Sequence, residues 1–176
     1  MLTRRKALYA GAAGIAVLAL DRLVRPHDVK AATVYEVTHT DEEWHKLLTP
    51  AEYNITRQQG TELPESSPLT HLYARGIYRC VDCGLDLFKS DTKFDSGTGW
   101  PSFYAPILKN HVKEIADHSD GMDRTEVECA RCGAHLGHVF NDGPQPTGLR
   151  YCMDGGALQF IPEKDLAAAK PAGGGK

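Results

Sequence analysis

Residues 129–144 read Cys-Ala-Arg-Cys-Gly-Ala-His-Leu-Gly-His-Val-Phe-Asn-Asp-Gly-Pro, and the first five have a counterpart upstream in Cys80-Val81-Asp82-Cys83-Gly84. Each is a C-x-x-C-G unit. A two-residue gap lets two thiolates converge on one ion at about 2.3 Å, and the glycine that follows accepts φ > 0, turning backbone N–H groups toward the sulfurs. Leu87 and Leu136 stand at the same offset after each unit, so the echo is a repeated local device and not a repeated domain. Cys80, Cys83, Cys129 and Cys132 together make a tetrahedral four-sulfur set of the type structural Zn²⁺ prefers. Such a set leaves no open position for substrate, which gives it a structural role. The 45 residues between Cys83 and Cys129 exceed the spacing of a compact zinc finger, so the ion is expected to join two distant hairpins of one domain. Disulfides and redox-active C-x-x-C pairs are the competing readings of the same residues.

Outward from these units the chain is rich in turn residues and short β-prone runs. Residues 76–80, 85–88, 112–116, 125–129, 135–140 and 158–161 read as strands, and no helical period survives between residues 70 and 160. In front, Thr40 with Glu43 and Thr49 with Glu52 form capping boxes, with Pro50 at the first helical position of the second. Trp44, Leu47 and Leu48 give the first helix an apolar stripe; Tyr53 and Ile55 begin that of the second, and Gly60 is its expected stop. The architecture predicted is a small, mainly β, antiparallel domain behind short N-terminal helices.

The whole chain of 176 residues suits one domain, and 41% hydrophobic with 24% charged residues excludes a disordered or fibrous chain. Lys and Arg number 20 against 23 Asp and Glu, a balance that argues against nucleic acid as a partner. The basic residues are concentrated at the start. Arg4, Arg5 and Lys6 precede a charge-free apolar run from Ala7 to Leu20, too short to span a bilayer comfortably, and Val29-Lys30-Ala31 offers a signal peptidase its small residues. Residues 1–31 therefore read as an export signal, the adjacent arginines resembling a twin-arginine leader; a general secretory signal and an uncleaved membrane anchor are the alternatives. The expected destination is the bacterial periplasm. What remains has 14 basic and 21 acidic residues and no membrane-spanning stretch: a domain over 32–166 and a frayed tail over 167–176.

The fifth cysteine, Cys152, has no cysteine partner left. In Arg150-Tyr151-Cys152-Met153-Asp154 strand alternation puts Arg150, Cys152 and Asp154 on one face, at an expected strand edge. Arg150 favours the nucleophilic thiolate, Asp154 opposes it unless paired or protonated, and a buried inert thiol is the plainer reading of a lone cysteine. Its context favours chemistry. His135 and His138 lie within four residues, beside the second metal unit and near a carboxylate, which suits general acid–base work. On a regular strand they face opposite ways, so a bend at Gly137 is required. Ser96-Gly97-Thr98-Gly99-Trp100-Pro101-Ser102-Phe103 fixes Trp100 in a Gly/Pro turn, as a binding wall or as core.

The set C-x-x-C, S-G-T-G-W-P-S-F, C-x-x-C-G-A-H-L-G-H-V-F-x-D-G-P and R-Y-C resembles the type B methionine sulfoxide reductases, over residues 41–162. The resemblance implies two antiparallel sheets with a structural zinc, and a cysteine that reduces the R epimer of methionine sulfoxide, free or within proteins. It makes Cys152 the nucleophile and Cys80, Cys83, Cys129 and Cys132 the zinc ligands. His135 and His138 would orient and protonate the sulfoxide oxygen, with Asp142 fixing an imidazole. Trp100 would receive the sulfoxide methyl group, and Arg150 would support the thiolate. Many relatives carry a resolving cysteine where this chain has Thr98, which implies a one-cysteine enzyme passing through a Cys152 sulfenic acid and reset by a thioredoxin-like thiol. Asp154 stands where many relatives have Asn, and residues 62–67 lack the Pro-Phe-Thr-Gly run that often follows Gly-Thr-Glu. A non-catalytic zinc module that presents a surface to a partner, and a thiol redox sensor, are the rival functions.

Overall fold

The computed structural model describes residues 34–168; the export signal expected over 1–31, and the tail beyond residue 168, lie outside them. Both capping boxes form. The Thr40 hydroxyl accepts from the Glu43 N–H and starts α1 (Asp41–Leu47), and Thr49 with Glu52 does the same for α2 (Pro50–Gln58). Trp44 and Leu48 are buried as expected, but Leu47 is 60% exposed, because the short helix turns only one narrow face to the protein. The left-handed residue that ends α2 is Gln59 (φ 55°), not Gly60. Gly60 is required for a different reason: a Cβ there would lie 2.2 Å from the Asn54 side chain.

All strand pairs are antiparallel. β1 (Gly76–Cys80) lies between β2 (Asp86–Lys89) and β9 (Leu158–Pro162) in a three-stranded sheet. The second sheet has six strands in the order β3-β4-β8-β7-β6-β5: β3 (Lys93–Phe94), β4 (Ser102–Phe103), β5 (Val112–Asp117), β6 (Arg124–Cys129), β7 (His135–Phe140) and β8 (Arg150–Met153). The mainly β, two-sheet fold with short N-terminal helices is thus the one expected. Two features differ from the sequence reading. The two-residue strands β3 and β4 carry no periodic signal, and β8 is interior, between β4 and β7, so Cys152 is not at a sheet edge.

Alternate residues of the strands fill the core between the sheets. Tyr78, Leu87, Phe88, Phe103, Val127, Leu136 and Met153 are fully buried, with the Phe88 and Phe103 rings stacked at 4.5 Å. On β8, Tyr151 and Met153 point into this core, so alternation turns Cys152 to the opposite face. Each C-x-x-C-G unit is the turn of a hairpin, β1–β2 in one sheet and β6–β7 in the other. No described helix is long and apolar enough to cross a membrane.

Candidate active site and metal centre

The two cysteine turns are built alike. Gly84 N–H donates to the Cys80 carbonyl and Gly133 N–H to that of Cys129; Cys80 N–H donates to the Leu85 carbonyl and Cys129 N–H to that of Ala134. Both glycines have φ near 70°, the left-handed region a side chain disfavours. The four sulfurs lie within 4.8 Å of one another, with Cys80–Cys132 at 3.7 Å and Cys83–Cys129 at 3.6 Å. A tetrahedron with metal–sulfur distances of about 2.3 Å has edges of roughly 3.8 Å, so the donors fit a metal ion such as zinc. They are not joined as disulfides. Arg57 on α2 donates to the Cys132 carbonyl and sulfur, pairs with the buried Asp82 inside the first turn, and lies over the Trp44 ring. The cluster therefore ties the two sheets and α2 together.

Register builds the second site. Cys152 pairs with Ser102 across β4 on one side and with His138 across β7 on the other, so these three side chains share a face. His135 joins them through a bulge. β6 pairs Val127 with Gly137 but Glu128 with His135, leaving Leu136 as the extra residue. The parity of β7 shifts by one, and the two imidazole rings come to 5.4 Å, edge to face. Gly137 is obligatory at this bend, with φ 138° and its missing Cβ only 2.2 Å from the Cys152 carbonyl. The bend expected at Gly137 is real.

Cys152, His138, Trp100, Asp154, Thr61, Gly137, Phe140 and Arg124 line an open cavity of about 160 Å³. Trp100 is therefore a wall and not core; its indole N–H donates to the Glu62 carbonyl at 3.2 Å. A hydroxyl chain reaches the thiol from below: Ser102 and Ser96 are 2.7 Å apart, Ser96 and Thr98 2.8 Å, and Thr98 Oγ1 lies 3.8 Å from Cys152 Sγ. The hydroxyl of Thr98 thus occupies the place from which a second thiol would reach Cys152.

Each histidine has its own carboxylate. His135 Nδ1 meets Glu126 Oε1 at 2.6 Å, and Gln59 Nε2 donates to both Glu126 oxygens; this explains a glutamine at the end of α2. His138 Nε2 meets Asp117 Oδ2 at 2.9 Å, and Asp117 also pairs with Arg124. Asp142, expected to fix an imidazole, holds no histidine. Its two oxygens accept a bidentate pair from Arg150 at 2.8 and 2.9 Å, and Arg150 lies over the Phe140 ring. The hydrogen-bonded pair depresses the Asp142 carboxyl and raises Arg150.

The balance at Cys152 also runs against the simplest expectation. Burial pushes its thiol up; Thr98, Arg150 and Ser102 pull it down, and the negative charge of Asp154 raises it. The upward push wins. Asp154 is itself pushed up to about 6, chiefly by burial, against the Glu62 N–H that donates to its Oδ1 and the nearby His135. Arg150 does not pair with Asp154, so protonation is what lifts the opposing charge. His135 Nε2, buried and without a hydrogen-bond partner among the described residues, lies 3.9 Å from Asp154 Oδ2. Burial pushes His138 down, with Asp117 countering it. Sequence reading missed Glu62, Gln59, Asp117 and Glu126. Gln59, Asp117 and Glu126 carry no motif, and Glu62 reads only as the end of a Gly-Thr-Glu run; their contacts are visible only once strand pairing and the α2 exit are known.

Residues 48–162 match the SelR domain, and the chain belongs to that family. Curated relatives share the name peptide methionine sulfoxide reductase MsrB. The protein of Leptospira interrogans is 54% identical over 129 residues, 73% of this chain and 98% of its own. That of Methanosarcina mazei is 50% identical over 135 residues, 77% and 96% of the two chains. That of Agrobacterium fabrum is 50% identical over 127 residues, 72% and 94%.

Proposed function

We propose that this chain is a peptide-methionine (R)-S-oxide reductase that uses Cys152 as its nucleophile and passes through a cysteine sulfenic acid. The observation that carries this reading is the face shared by Cys152, His138 and Ser102 in a cavity walled by Trp100 and Asp154. The Cys152 thiolate attacks the electrophilic sulfur of the sulfoxide. The sulfoxide oxygen takes up a proton, the S–O bond breaks, and the hydroxyl passes to the cysteine sulfur. Methionine leaves, its sulfur reduced by two electrons; Cys152 is oxidised by two electrons to –SOH, the first reversible rung of thiol oxidation.

Two groups in the cavity can hold the proton: His138, whose ring is fixed by Asp117, and Asp154, protonated up to about pH 6. His135, fixed by Glu126, faces Asp154 and orients the same proton. Trp100 receives the sulfoxide methyl group on its ring. Arg150, braced by Asp142, supports the thiolate through its charge, and Asp142 acts only through Arg150. Cys80, Cys83, Cys129 and Cys132 hold one structural Zn²⁺, whose contribution is to the fold. With Thr98 beside Cys152 and the other thiols committed to the metal, an external thiol resets the enzyme. A thioredoxin-like donor attacks the sulfenic acid, water leaves, and a second donor thiol resolves the mixed disulfide. The substrates are oxidised proteins and peptides, and the leader places the enzyme outside the cytoplasm, in the periplasm; sequencing the N-terminus of the exported protein tests that part.

The enzymatic reading is tested by turnover of the two methionine sulfoxide epimers with dithiothreitol, for the full protein and for Cys152→Ser. Reduction of the R epimer alone, lost in the variant, is expected. Activity that survives Cys152→Ser contradicts it.

A further inference from the structure

Residues 59–70 run as a loop without helix or strand, yet one residue in it bonds to two side chains that wall the cavity. The Glu62 N–H donates to Asp154 Oδ1 at 3.0 Å, and the Glu62 carbonyl accepts the indole N–H of Trp100 at 3.2 Å. Its carboxylate is fixed independently: Oε1 accepts from the Gly155 N–H at 2.6 Å and Oε2 from the Gly156 N–H at 3.1 Å. The absence of a side chain at Gly155 makes room for this, since a Cβ there would lie 3.0 Å from Glu62 Oε1 and 2.0 Å from the Ser67 hydroxyl. Trp100 precedes β4 and Asp154 follows β8, and the two peptide groups that flank the Glu62 Cα bond one to each side chain. The Glu65 N–H ties the loop further on to the Gly99 carbonyl at 2.7 Å, and the backbone groups of Glu62 keep their orientation through an anchor of their own. The two charge-assisted bonds to Gly155 and Gly156 are that anchor.

We infer that Glu62 is the positioning residue of the substrate pocket: its carboxylate bolts the loop to the turn after β8, and its backbone N–H and carbonyl then hold the Asp154 carboxyl and the Trp100 wall in place. This rests on the reading of Trp100 and Asp154 as substrate-facing groups. Glu62 touches no reacting atom and does not line the cavity, so its loss is expected to weaken sulfoxide binding through Trp100 and, since His138 still holds the proton when Asp154 is displaced, to lower kcat by less than KM rises. Polar bonds that fix an aromatic wall act on ground state and transition state alike, which appears in KM.

The test is Glu62→Ala in the full chain, measured by steady-state kinetics with the R sulfoxide and dithiothreitol, and by tryptophan emission in a Trp44→Phe background. The chain has two tryptophans, so that background reports Trp100 alone. A rise in KM of about tenfold, with kcat held within about threefold, is expected. The Trp100 emission shifts to the red and its response to sulfoxide weakens, while the bound metal stays as in the parent. Glu62→Gln keeps one acceptor oxygen and turns an amide N–H against the other glycine, so its KM falls between the two; it also serves if the alanine variant fails to fold. Unchanged KM and emission overturn the inference, as does a fall in kcat or melting temperature with KM unaltered. A parent protein inactive on both epimers overturns the enzymatic reading instead, and the emission shift alone then decides whether Glu62 positions Trp100.

Discussion

In the four-cysteine cluster each pair of sulfurs stands on a hairpin turn, gathered within 4.8 Å by a positive-φ glycine and a repeated set of backbone bonds. Cys152 stands on an interior strand of the six-stranded sheet, between Ser102 and His138, with one face open to a cavity. The first arrangement is local and repeats in sequence; the second is assembled from four strands and a bulge. The contrast shows how one chain sorts its five thiols into two settings: four are gathered into a set that fits a metal ion, and the fifth stands apart from them at a cavity. Arg57 and Asp82 buttress the first region from α2 and from within the turn, whereas a loop residue, Glu62, spans the second.

The most drastic way to break the contrast is to empty the cluster. Cys132→Ala, or chelation under reducing conditions, removes the link between the sheets. Since structural zinc in small domains is worth on the order of 10 kcal/mol, cooperative thermal unfolding is expected to be lost. An unaltered melting curve in metal-free protein would show that the fold does not depend on the ion. At the other site, His138→Ala is expected to lower kcat by about a hundredfold or more, and Asp117→Asn by less, with melting temperature little changed; steady-state rates and thermal scans check both.

Asp154 gives a smaller effect with a defined pH window. Its folded pKa of about 6 lies above the ordinary aspartate value of roughly 3.9, so between these pH values the folded state keeps a proton that the unfolded state has released. Stability therefore falls as pH rises from about 4 to 6 and stays lower above that. Asp154→Asn escapes this penalty: denaturant titration should find it more stable by about 2 kcal/mol at pH 7.5, and equal to the parent at pH 3.5. Equal stability at both would refute the buried charge. Smallest is Thr98→Val, which removes a hydroxyl that lowers the thiol. The midpoint of Cys152 alkylation against pH should move up by less than about one unit, while Asp154→Asn moves it down.

How far the sequence could be read follows the same division. The C-x-x-C-G turns, the capping boxes and the longer strands are set by contacts a few residues apart, and they appear where spacing put them. The pairing of β8 between β4 and β7, the carboxylates Asp117 and Glu126 behind the histidines, and the bond from Asp142 to Arg150 depend on register. Asp142 is four residues from His138, near enough in the chain to suggest a partnership, but the partner it meets is Arg150 on the neighbouring strand. Likewise Arg150 is two residues from Cys152, and its charge alone does not decide the thiol, because burial outweighs it. Glu62 belongs to a Gly-Thr-Glu run that gives no hint of its partners; they emerge only where its backbone bonds to Trp100 and Asp154.

The central claim is that Cys152 is free to react while Cys80, Cys83, Cys129 and Cys132 are held. One equivalent of R-methionine sulfoxide added to the fully reduced protein in the absence of donor thiol, followed by intact-mass analysis with a sulfenic-acid trap and a metal determination, tests it directly. The expected result is a single trapped adduct on Cys152 with the metal retained. An internal disulfide, or metal released as the substrate is consumed, would contradict it.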